Sequence, residues 1–164
     1  PCTASQNNFA AEATELFLAI HYKIGMALED ALRCGQLSRN QVAILWLMRS
    51  ERDAEGKMRR KDIERLLAVW FETSGSTITR ALRDMASAPL KLVRLVEDPD
   101  SAREKQVILT PKGERLINTM EEEGKKFLQP LMGLMQQTEG RELFRLLYKA
   151  VAAIKKDTEG EFFH

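Results

Sequence analysis

Histidine and cysteine are almost missing from this sequence, with two of each in 164 residues. One histidine, His164, is terminal, and no His/Cys/Asp spacing of metal-site type occurs, so neither an enzyme nor a cofactor is expected. Cys2 and Cys34 are too few for a disulfide framework, which points to a reducing, cytoplasmic setting. The longest apolar runs, such as residues 42–48, are far too short to span a bilayer, and no signal-peptide pattern opens the sequence. Internal repeats and low-complexity tracts are missing as well. What remains, 44% hydrophobic and 30% charged residues, describes a soluble globular chain with one ordinary core.

The net charge is only +1, but it is unevenly spread. Residues 57–115 carry 13 basic and 9 acidic side chains, a balance of +4, between ends at −2 and −1. A basic middle between mildly acidic flanks suits one central module facing a polyanion.

The apolar periodicity gives the element order. Phe9 to about Arg33 reads as one long helix, after a polar start expected to fray, and Gly35 is its stop. Ser38-Arg39-Asn40-Gln41 has the spacing of a capping box and opens a second, nearly all-apolar helix to about Arg49. Residues 57–60 suit a short edge strand, and about 61–69 a third helix. The stretch 74–113 then carries the signal. Ser74 and Ser76 are good helix starters, and Ile78, Ala81, Leu82 and Met85 fall on one face, leaving Thr77, Thr79, Arg80 and Arg83 elsewhere. Residues 92–96 and 105–109 are aliphatic runs separated by a charged bend at Pro99-Asp100, a hairpin. Thr110-Pro111 opens a long helix to about Leu128, since proline at the first helical position forfeits no hydrogen bond, and Pro130 is expected to bend or break it. A last helix covers about 139–155. The fold class is mainly α with a small β-hairpin: a winged helix-turn-helix lobe over 36–113, and a helical dimerisation lobe over 9–35 and 114–157. Broad apolar stripes at both ends of a chain that already has a core imply a second copy.

Read this far, the sequence resembles the MarR family of bacterial transcription regulators. Ser76-Thr77-Ile78-Thr79-Arg80 and Arg103 through Leu109-Thr110-Pro111-Lys112-Gly113 carry the resemblance. It implies a homodimeric, ligand-responsive repressor on a palindromic operator, whose Ser74 helix enters the major groove of double-stranded DNA while Arg103 reaches the minor groove. It also implies a ligand pocket or reactive cysteine where the dimer and DNA lobes meet. Three features depart from the pattern. Ser101 stands where the family has aspartate, with Asp100 one step earlier; the turn at 69–73 is long; and the link at 87–91 lacks the glycine that normally precedes the strand.

Candidate DNA contacts are therefore Ser74, Ser76, Thr77, Thr79, Arg80, Arg83 and Arg103. Arg59, Lys61 and Lys105 are further candidates for phosphate, with a plain solvated surface as the alternative. His21, Tyr22 and Trp46 are candidates for a pocket taking a small aromatic effector, against ordinary core packing. Cys2 and Cys34, the latter beside Arg33, are each either a sensor or an idle thiol. The rival function is a winged-helix protein-interaction module that docks an acidic partner.

Overall fold

The structure is a computed structural model that describes the backbone of residues 2–98 and 101–157 and the side chains of residues 8–98, 101 and 104–153. Helix α1 (Cys2–Ala19) passes through a π-helical segment, Ile20–Gly25, into α2 (Met26–Leu32). The chain continues with α3 (Arg39–Glu51), β1 (Lys57–Arg59), α4 (Arg60–Trp70) and α5 (Gly75–Ala86). Strands β2 (Val93–Asp98) and β3 (Ser101–Leu109) follow, then α6 (Pro111–Met132) and α7 (Gln137–Asp157). The sheet is antiparallel with order β1-β3-β2, so Met58 lies opposite Val107, and Leu95 lies opposite the same residue from the other side.

Local chemistry accounts for the helix starts. Ser38 and Gln41 form the reciprocal capping box that their spacing implies: Ser38 Oγ accepts from the Gln41 amide, and Gln41 Oε1 accepts from the Ser38 amide at 2.9 Å. Ser74 caps α5 through the Thr77 amide, and Thr110 caps α6 through the Gly113 amide at 3.1 Å, with Pro111 at the first position. The core lies among α3, α4, α5, the sheet and the first half of α6. Ile44, Leu45, Met48, Ile63, Leu67, Ile78, Met85 and Met120 are wholly shielded there.

Two expectations need correction. The first helix begins at Cys2 instead of Phe9, and its regularity is interrupted by the π turn at Ile20–Gly25. Pro130 does not break α6, which continues to Met132. Proline forfeits one hydrogen bond to the preceding turn, a small loss when only the helix end lies beyond it. The missing glycine before β2 is replaced by Lys91, which takes a left-handed backbone with φ 50°.

The two ends of the chain leave apolar surface uncovered. Every residue from Arg141 to Ala153 in α7 is exposed, among them Leu143, Phe144, Leu147 and Val151, and so are Phe9, Leu16, Phe17 and Leu18 of α1. Among the described residues no helix is long and apolar enough to cross a membrane.

Candidate nucleic-acid interface

Helix α5 divides cleanly into two faces. Ile78, Ala81, Leu82 and Met85 are buried, while Ser76, Arg80 and Arg83, spaced four and three residues apart, form one exposed stripe with Thr77 beside it. Neither Arg80 nor Arg83 has an ion-pair partner among the described residues. At the amino end Ser74 Oγ lies 2.9 Å from Ser76 Oγ and 2.8 Å from Thr77 Oγ1, so three hydroxyls form one exposed knot. Thr79 departs from the expectation. It is half-buried, and its hydroxyl accepts from Arg60 Nη1 at 3.4 Å, which turns it toward α4.

The basic residues around the hairpin sit differently from those of α5. Arg59 Nε pairs with Asp98 at 2.8 Å, Lys61 with Glu104, and Lys105 with Glu97 at 3.4 Å. All three cations offered as phosphate candidates, with a solvated surface as the alternative, thus have a carboxylate of β2 or β3 against them. Asp98 is the buried acid at the base of the wing, next to the register shift between Glu97 and Asp98. The side chain of Arg103, together with Asp100, lies outside the described residues.

A second feature separates α2, α3, the end of α4 and α6. It is a cavity of about 540 Å³ floored by Leu28, Leu32, Val42, Ala43, Trp46 and Leu128, with Trp70 and Phe71 on one side. Its rim is ionic. Arg39 Nε donates to Glu29 at 2.7 Å, while Arg49 pairs with Glu121 and stacks 5.1 Å above the Trp46 ring. Lys125 at the same rim is held above its ordinary pKa by the hydrogen bond to Glu122 and that carboxylate's charge. Gly124 admits Leu32, whose Cδ2 lies 3.2 Å from where a Cβ would stand.

Of the three candidates for a pocket, weighed against core packing, Trp46 lines this cavity. His21 and Tyr22 do not; they form an exposed edge-to-face pair, 4.8 Å apart, on the π segment. They are not core residues either, because an interrupted helix with little packed on it leaves both rings in solvent. Trp70 and Phe71 were not singled out from the sequence. They stand at the end of a helix pattern, where apolar residues read as a turn, and they line a cavity whose other lining comes from α2, α3 and α6, segments distant in sequence.

Cys34 has a left-handed backbone, φ 49°, and its thiol is half-buried against the Leu32 carbonyl at 3.5 Å. Burial, then the negative charge of Glu123, pushes the thiol pKa up. Arg33, expected to lower it, instead donates from Nε to the Leu37 carbonyl at 2.7 Å. The thiolate that a sensor needs is disfavoured.

Comparison with known proteins bears directly on this geometry. Residues 37–113 match the family model described as a winged helix DNA-binding domain. Among solved structures, a MarR family transcription regulator superposes with a TM-score of 0.72 at 16% identity, covering 98% of this chain and all of the other. The chain has a MarR-type winged-helix fold. A MarR mutant from E. coli complexed with operator DNA gives a TM-score of 0.64 at 20% identity, over 87% of this chain and 96% of that one. The MarR family regulator AbsC from Streptomyces coelicolor gives 0.61 at 18%, over 95% and 97%. Among curated protein sequences none matches. The likeness covers nearly the whole chain, so it takes in α1, α6 and α7 as well as the winged lobe.

Proposed function

We propose that this chain is a transcription regulator that binds a palindromic operator as a homodimer and releases it in response to a small aromatic effector. The observation that carries the reading is the outer stripe of α5. Ser76, Thr77, Arg80 and Arg83 are exposed together on a short helix whose opposite face is locked into the core, and the two arginines are free of ion pairs among the described residues. Hydroxyls and guanidinium groups so placed suit base edges and phosphates of the major groove. The MarR mutant solved with operator DNA, and a MepR mutant from S. aureus solved with an oligodeoxyribonucleotide, share the fold and support this use of it.

Dimerisation is supported by the exposed apolar side chains of α1 and α7. Each Leu, Phe or Val buried against a second copy would contribute about 1.5–3 kcal/mol. Two copies would then present two α5 helices to half-sites about one turn of DNA apart. By resemblance, Arg103 on the wing takes the minor groove. The cavity supports the effector. Its volume and apolar floor fit a compact aromatic molecule, and Trp70 and Phe71, which wall it, precede Ser74 by only a few residues. An occupant pressing on that wall would shift the start of α5 and change the spacing of the pair.

Selection of bound duplexes from a random pool tests the reading. A two-fold symmetric consensus is the expected result, and recovery of no enriched sequence would remove the assignment.

A further inference from the structure

Glu104 is placed oddly for a residue that serves folding alone. It lies on β3 beyond the end of the β1 pairing, where Arg59 is opposite Gln106, and so comes alongside the first turn of α4. Its side chain is only 14% exposed. One carboxylate oxygen takes Lys61 Nζ, and the other is buried with no hydrogen-bond partner among the described residues. A largely buried carboxylate with half its acceptor capacity unused is costly, and an apolar side chain of similar size would fold more cheaply. The Lys61 side chain that it holds is 67% exposed, at the junction of β1 and α4 that adjoins the wing.

We propose that Glu104 masks Lys61 from DNA phosphate, and thereby lowers the sequence-independent part of the protein's affinity for duplex. The proposal rests on the DNA-binding reading above. A lysine beside the wing would add one phosphate contact per protomer on any sequence, because the backbone charge is the same everywhere. Pairing it internally removes that contribution without touching the α5 stripe that faces the bases. The other two pairs do not carry the same argument. Glu97 and Lys105 are both well exposed at 3.4 Å, where an ion pair is weak, and Asp98 is shielded completely at the base of the wing.

The experiment is a salt titration of binding to a random-sequence duplex by the full chain, its Glu104→Gln variant and the Lys61→Gln/Glu104→Gln double variant. Glu104→Gln is expected to bind about two- to fivefold more tightly at low salt, as release of a modest ion pair allows. Its slope of log K against log salt should steepen by about 0.9 per protomer, and the double variant should lose the gain. Glu104→Met, which removes the charge and fills the same space, should reproduce the gain if the amide perturbs folding. Unchanged or weaker binding by both single variants, or a gain that survives loss of Lys61, overturns the proposal while leaving DNA binding intact. Failure of the parent chain to bind any duplex removes the DNA-binding reading, and this proposal with it.

Discussion

Gly113 and Leu92 touch backbone to backbone: a Cβ on Gly113 would stand 2.2 Å from the Leu92 carbonyl oxygen. The same oxygen accepts from the Thr110 amide at 2.9 Å and from Thr110 Oγ1 at 3.1 Å. The start of α6 is therefore pinned to the foot of β2 by a cap and a missing side chain together. Gly113→Ala must push these elements apart, and should destabilise the chain by about 1–3 kcal/mol or more, read as a lower denaturant midpoint.

The α7 surface gives a prediction about assembly. Leu147→Glu places a charge on the exposed apolar face while leaving the winged lobe, whose core it does not touch, intact. Sedimentation should show a monomer with parental helix content, and binding to a selected palindromic duplex should fall sharply. A dimer that persists in this variant would move the interface elsewhere.

On α5, Arg80→Ala should weaken binding to the selected duplex by about 1–3 kcal/mol with little change in thermal midpoint, because the side chain is exposed and has no ion-pair partner among the described residues. Thr79→Ala should instead lower stability slightly and affect DNA little. It removes an acceptor for Arg60 and no outward group.

The chain has two tryptophans, and both line the cavity. Intrinsic fluorescence therefore reports on that space directly. A planar aromatic such as 2-naphthol should quench it saturably, and Ala43→Leu, which fills the floor, should abolish the saturable phase. Quenching that is linear and unchanged in Ala43→Leu would exclude an occupied cavity.

Cys34 should react slowly. With its pKa raised by burial and by Glu123, the thiol stays protonated at neutral pH, and alkylation should lag behind that of a free thiol until the medium is well alkaline. The linkage has a definite sign. A folded-state pKa above the unfolded one gives stability that is complete below the unfolded value and is lost as pH rises through the folded value. Cys34→Ser should flatten that alkaline decline.

The order of elements, the capping box at Ser38, the caps at Ser74 and Thr110 and the inward face of α5 were all legible in the sequence. Each depends on residues within one or two turns of each other, so spacing alone determines them. The outward direction of Arg80 and Arg83 followed for the same reason. Contacts between distant segments were not legible. That Arg59, Lys61 and Lys105 face carboxylates of the wing, that Thr79 turns toward Arg60, and that Trp70 and Phe71 wall a cavity while His21 and Tyr22 stand in solvent were settled by how strands and helices approach one another. A charged or aromatic side chain has the same local signature whether it meets solvent, an opposite charge or a void. Only packing across the fold chooses among them.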